Sequence, residues 1–240
     1  MALHQLIREM QATNVGWGAP RIHGELLKLG IAVSEATVSK YMLGPRKPTS
    51  QSWKTFLSNH AECMAAIDFM TVPTAKFRIL YLLVVLSHDR RQVIHFNVTG
   101  QPTAQWTAQQ LLEAFPFDSA PDYLLRDRDA IYGELVKKRI KSLGMKDVVT
   151  APRSPWQNPF VERIIGSIRR ECLDHIIVLN EAHLKRILRD YFSYYHTCRT
   201  HLSLNKDLPQ SRPVELAQLG RIKVLPKVGG LHHRYLPMVA

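Results

Sequence analysis

Cysteine is scarce and scattered: only Cys63, Cys172 and Cys198 occur, far apart and with no C-x-x-C pair. That excludes a disulfide scaffold, offers no zinc-binding pattern, and makes a reducing cytoplasm the expected setting. Long hydrophobic runs are missing as well. The longest unbroken apolar stretch, Ile79 to Leu86, has eight residues, against roughly 20 for a membrane-spanning helix. The opening MALHQLIREM shows no secretory hydrophobic region. No internal repeat or low-complexity tract is present. Acidic residues are few: Asp and Glu number 20 against 32 Lys and Arg, a net charge of +12. Otherwise the balance is that of a soluble globular chain, with 45% apolar residues in 240, enough for one large domain or two modest ones.

The basic excess is unevenly placed. Residues 1–60 carry 7 basic and 3 acidic side chains, residues 61–126 carry 5 and 6, and residues 127–240 carry 20 and 11. The nearly neutral stretch is also the one that reads as sheet. A compact core flanked by basic segments suits a polyanionic partner.

Residues 1–43 read as helices. Leu3, Leu6, Ile7 and Met10 share a face; Pro20 opens a second helix carrying Ile22, Leu26, Leu27 and Leu29 and ending at Gly30. Ser34 is the expected N-cap of a third, Glu35 to Met42, with Val38, Tyr41 and Met42 inward. This is a helix-turn-helix outline, to be read as a DNA-binding segment or as a plain helical subdomain. In the DNA-binding reading Glu35, Thr37, Ser39 and Lys40 face outward. GPRKPTSQSW opens a linker spanning residues 44–60. Strands are expected at Cys63–Phe69, Phe77–Leu86, Gln92–Val98, Tyr123–Arg126 and Val148–Thr150. Helices are expected from Pro102, over Gly133–Leu143, over Phe160–Leu173 and over Glu181–His196. That order predicts an α/β fold, a mixed sheet covered by helices.

Three carboxylates stand out in that order. Asp68 sits in the first strand between apolar neighbours, where an isolated charge is costly. Asp127 directly follows the fourth strand, and Glu162 lies in the first turn of a helix. Taken singly, each also fits an ordinary role as a cap, turn or helix-dipole residue. Together they suit Mg²⁺ or Mn²⁺, which take hard oxygen ligands, and a pair of such ions is suited to phosphodiester chemistry.

The stretches AAIDFMTV, LLRDRDAIYG and TAPRSPWQNPFVERIIGSIRREC around these residues, with YYHTCRTHLSL further on, resemble the integrase-core transposases of bacterial insertion sequences. The resemblance covers about residues 15–235. It implies a ribonuclease H-like five-stranded sheet flanked by helices, preceded by the helix-turn-helix segment. The domains it implies are a catalytic core over 61–178 and a helical, basic C-terminal extension over 179–240. It implies Asp68, Asp127 and Glu162 as catalytic and metal-binding residues holding two Mg²⁺ or Mn²⁺ ions, with 34 residues between the last two. It also implies strand transfer between element ends and target DNA, self-association into a dimer or larger complex on DNA, and action beside the nucleoid. Asp129 is a rival to Asp127, because Asp127-Arg128-Asp129 stands where the family often has Asp-Asn-Gly. The helix-turn-helix starts close to residue 1, where relatives commonly carry a longer region, as in a shortened gene product. A metal nuclease on the same fold and a non-catalytic DNA-binding remnant are the competing readings.

On the helix carrying Glu162, Arg163, Arg169 and Arg170 are expected to contact phosphates or to form a solvated basic face. Gly166 is expected to let DNA approach closely. Gln157 and Asn158 are expected to cap the helix or touch DNA, and Trp156 to pack inward. His196, Arg199 and His201 are expected to make structural hydrogen bonds or to contact phosphate.

Overall fold

A computed structural model describes residues 3–14, 17–42, 52–214 and 222–237. The chain divides into two units, Met1–Ser52 and Trp53–Ala240. None of the helices described is long and apolar enough to cross a membrane.

The first unit holds α1 (Leu3–Thr13), α2 (Ala19–Lys28) and α3 (Glu35–Tyr41). Ile7, Ile22, Leu26 and Val38 form its buried centre. Gly30, at φ +77°, ends α2 with the Ile31 N–H bonded to the Leu26 carbonyl and its own N–H to that of Leu27. A side chain with a Cβ resists that left-handed conformation. Ser34 caps α3 by accepting from the Thr37 N–H, and His23 Nε2 donates to the Val33 carbonyl at 2.8 Å, pinning the turn. Tyr41, expected inward, is exposed, as are Leu27 and Leu29: the buried stripe is narrower than the run of apolar residues.

The second unit is built on one five-stranded sheet. Its strands are β1 (Met64–Pro73), β2 (Ile79–Ser87), β3 (Val93–Thr99), β4 (Tyr123–Arg126) and β5 (Lys146–Val149), in the order β3-β2-β1-β4-β5. The first three are antiparallel neighbours; β1–β4 and β4–β5 are parallel. Side chains alternate across the sheet. Met64, Ala66, Met70, Leu82 and Leu125 face α7 (Pro159–Glu171) and α8 (Glu181–Thr197). Ala65, Ile67, Leu83 and Leu124 face α5 (Ala104–Ala114) and α6 (Glu134–Ser142). Thr103 caps α5, so that helix starts two residues after the expected Pro102.

Two parts of the second unit depart from expectation. Trp53–Asn59 forms α4 where a linker was expected, with Trp53, Phe56 and Leu57 packed on the main core. The rest of that linker, residues 44–51, lies outside the described residues. After α8 comes a hairpin, β6 (Ile222–Lys227) and β7 (His232–Pro237), in a stretch expected to be helical and basic. His232 fastens it, donating to the Glu171 carbonyl at 2.8 Å and stacking on Tyr194 at 4.3 Å. Helix α8 itself belongs to the core, burying Leu184, Leu188 and Tyr191.

Candidate active site

The alternation of β1 sets the direction of Asp68. Residues 64, 66 and 70 face α7, so Asp68 points to the same side. By the same count from Leu125, so does Asp127. Ala66 pairs with Leu125, and that register carried on by two residues brings Asp68 level with Asp127, on strands about 4.8 Å apart. Strand β4 ends at Arg126 while β1 runs on to Pro73, so a notch opens beside Asp68. Helix α7 covers the notch and brings Glu162 to it from its first turn. The three carboxylates line one cleft of about 210 Å³ with Arg128, Arg153 and Asn158.

The loop over 150–157 forms the far wall and is fastened at several points. Arg128 Nε donates to the Thr150 carbonyl at 2.9 Å, and the Gln157 side chain accepts from the Ala151 N–H at 2.6 Å. Trp53 Nε1 donates to the Gln157 carbonyl at 3.0 Å, so the unexpected α4 braces the entry to α7. Behind Asp127, Arg126 makes a bidentate pair with Asp147 at 2.8 and 2.6 Å and donates to the Asp127 carbonyl.

Electrostatics follow from that crowding. Burial, with the negative charges of Glu162, Asp127 and Asp129, pushes the Asp68 carboxyl up to about 7, against the Phe69 N–H it accepts. Burial and Asp127 also raise Glu162. An acid that holds its proton more tightly when folded stabilises the fold most at low pH and loses that contribution as pH rises toward 7. In metal-free buffer, Asp68→Asn is therefore expected to melt higher than wild type at pH 8, by at most about 4 kcal/mol. The gap should shrink toward pH 5. Melts of both proteins across that range check it; a gap that is absent or grows on acidification contradicts it.

The donor set suits a hard divalent cation: three carboxylates, one of them charged at a penalty that a cation would remove. Among the described residues, however, no three His, Cys, Asp or Glu side chains are closed into a cage around a common point. The three carboxylates nonetheless share the cleft.

Asp127 and Asp129 have different work. Asp127 lines the cleft and its Oδ1 accepts from the Asp129 N–H; Asp129 turns its own Oδ1 to the Ile131 N–H at 3.0 Å and is not among the cleft residues. Asn158 is 3% exposed, and neither end of its amide has a partner. It occupies the N-cap position of α7 without making a cap bond, so the capping expected of it is not found. Gln157 holds the loop instead. Trp156, expected to pack inward, is 68% exposed because the 3₁₀ turn Pro155–Gln157 points it outward.

The other expected residues scatter. Arg163 and Arg170 line a second pocket, and Arg169 lies on a groove beside Met70–Ala75. Gly166 gives room to Arg170: a Cβ there would meet its guanidinium at 3.0 Å. In the first unit Ser39 and Lys40 are exposed, whereas the Thr37 hydroxyl is engaged with Ser34 at 2.9 Å. His196 Nε2 accepts from the Val93 N–H, and Arg199 pairs with Glu171 at 2.6 Å, both structural bonds.

Residues 143–209 match the family model described as the integrase core domain. An insertion element IS476 protein of 39.2 kDa from Xanthomonas euvesicatoria, itself uncharacterized, is 21% identical over 165 residues, covering 68% of this chain and 48% of its own. The chain thus spans about half the length of that curated relative. Among solved structures, the simian T-cell lymphotropic virus intasome in complex with the PP2A regulatory subunit B56 gamma aligns over 95% of this chain and 86% of its own, at 13% identity and a TM-score of 0.55. The catalytic domain of Mos1 mariner transposase aligns over 59% and 77%, at 15% identity and a TM-score of 0.50. That domain has also been solved with raltegravir and Mn or Mg. The chain carries the ribonuclease H-like mixed sheet of these proteins, and in sequence and fold it is similar to the integrase-core transposases and integrases.

Proposed function

We propose that the chain is a DNA transposase or integrase, a polynucleotidyl transferase that cleaves a phosphodiester at the end of a mobile element and joins the freed 3′-OH to target DNA. One observation carries this: Asp68, Asp127 and Glu162, from two strands and a helix, line a single cleft. The Mn- and Mg-containing Mos1 structures, which share the fold, support divalent metal here.

Asp68, Asp127 and Glu162 would hold the ions, two per site in this reading. Bound divalent metal supplies Lewis acidity toward the attacking and leaving oxygens of a phosphodiester. The chain does the rest. Helix α7 fixes Glu162 against the sheet, and Arg128 and Arg153 bring positive charge to the rim of the cleft. The Asn158 amide offers two donors and an acceptor for orienting a water or a phosphate oxygen. No covalent protein intermediate is needed, since both steps are in-line displacements at phosphorus. Two DNA ends must meet, so the active form is a dimer or larger assembly on DNA, working beside the nucleoid.

The test is an assay of the purified chain with labelled duplexes bearing the repeats that flank its gene, in Mg²⁺ or Mn²⁺. Nicked ends together with joined products are expected. Nicking without joining would leave a nuclease, and binding without either a non-catalytic remnant. Binding itself should lose at least about tenfold in affinity between 50 and 200 mM salt, because phosphate contacts release counterions. A flat salt response contradicts a phosphate-dominated interface.

A further inference from the structure

A second concave site lies on another flank of α7. Residues 160, 163, 167 and 170 recur at helical spacing, so one face of α7 presents Phe160, Arg163 and Arg170. Arg91, from the β2–β3 turn, and Arg199 and His201, from the segment after α8, close that face into a pocket of about 280 Å³. None of its lining residues is acidic.

The cations in it are poorly matched. Arg199 is paired with Glu171, but among the described residues Arg163 and Arg170 have no ion-pair partner. The Arg91 guanidinium lies 3.4 Å over the Phe160 ring and donates to the His88 carbonyl. Burial, and then the positive charge of Arg163, pull its hold on its proton down. Like charges gathered under partial burial repel unless an anion joins them.

His201 is the independent sign. It is 8% exposed, and its Nδ1 lies 3.3 Å from Arg199 Nη1. A guanidinium only donates, so Nδ1 accepts and the proton of the neutral ring sits on Nε2. Burial and the Arg199 charge hold its pKa at about 4, so the ring is neutral at pH 7. That buried Nε2–H makes no hydrogen bond of good geometry, although the Tyr195 carbonyl favours its proton, and an incoming oxygen would give it a full partner.

We propose that this pocket binds one backbone phosphate of the DNA, held by Arg163, Arg170 and Arg91 and by the His201 Nε2–H. The inference rests on the reading of the chain as a DNA-acting enzyme and assigns that activity a positioning site. Several guanidinium groups and a neutral N–H around a small volume match the several oxygens of a phosphate. Glu162 and Arg163 are consecutive, so a phosphate gripped here fixes where the strand meets the carboxylates.

The test uses the full chain and a 20-base-pair duplex of arbitrary sequence, with fluorescence anisotropy read from 50 to 200 mM salt. Arg163→Gln with Arg170→Gln is expected to weaken binding about tenfold and to lower the slope of log affinity against log salt by about 1. Lys138→Gln with Lys141→Gln, the same loss of charge on exposed α6 positions, should leave that slope unchanged. His201→Phe should weaken binding about fivefold with the net charge unchanged and no loss of melting temperature. Equal effects of the two double variants, wild-type binding by His201→Phe with its fold intact, or no DNA binding by the wild type would each overturn the proposal. So would stabilisation by inorganic phosphate that disappears in the pocket variants while DNA affinity does not change, which would assign the pocket to a free anion. Pocket-dependent binding without cleavage or joining upholds the pocket and overturns only the catalytic reading.

Discussion

Asp127→Asn is expected to abolish both end cleavage and strand transfer, by at least about 100-fold, while DNA binding survives. Outer-shell partners of a metal ligand already cost 10- to 100-fold when lost, and a ligand itself costs more. The substitution is a clean one. An asparagine oxygen in place of Asp127 Oδ1 can still accept from the Asp129 N–H, the bond at 3.1 Å that shapes the turn, so shape is kept and only the negative charge is lost. Removing that charge also relieves Asp68 and Glu162, so the metal-free variant should melt no lower than wild type. Asp129→Asn should retain activity within a few-fold, since its role is to accept from the Ile131 N–H, and an amide oxygen does that equally well. Parallel Mn²⁺-dependent cleavage assays decide it. A dead Asp129→Asn beside an active Asp127→Asn would move the metal site two residues along the chain.

The largest loss of stability is expected at Asp147, outside the cleft. Arg126 is 4% exposed and its two hydrogen bonds to Asp147 neutralise it. Asp147→Ala leaves that guanidinium buried without a counter-ion, keeping only its bond to the Asp127 carbonyl, which costs about 3 kcal/mol. For a chain of this size that lowers the melting temperature by about 6 to 12 °C. Arg126→Met should cost less, because Asp147 is the more exposed partner, and the double variant Arg126→Met with Asp147→Ala should recover much of the loss. A melt showing Asp147→Ala unchanged would mean that Arg126 finds water or another acceptor. The pair also holds the end of β4, from which Asp127 emerges, so Asp147→Ala should lose some activity even below its melting temperature.

Much of this arrangement is legible in the sequence because it depends on local period. CMAAIDF and YLLRD read as strands, and the two-residue alternation puts both aspartates on the face where α7 lies. The VERII run reads as a helix whose first turn carries Glu162. What escaped the sequence depends on distant partners. Trp53–Asn59 follows a Pro- and Ser-rich stretch and looks like linker, yet Trp53 finds the Gln157 carbonyl 104 residues away. The hairpin over 222–237 has a weak strand pattern and is fastened by His232 to the end of α7. Asn158 looks like a helix cap; only the assembled cleft leaves its amide buried and without a partner. The arginine pocket draws on residues 91, 163, 170 and 199, which no local pattern joins. Trp156 misled through its size alone, since a large aromatic in a loop is expected inside.

The central claim is that Asp68, Asp127 and Glu162 act together as a metal site. Titration of Mn²⁺ into the purified chain, read by electron paramagnetic resonance, tests it without DNA or turnover. The account predicts saturable binding by wild type and by Asp129→Asn, weakened at least about tenfold by each of Asp68→Asn, Asp127→Asn and Glu162→Gln. Mn²⁺ binding that is unchanged across all three substitutions, in variants whose melts show them folded, would contradict it.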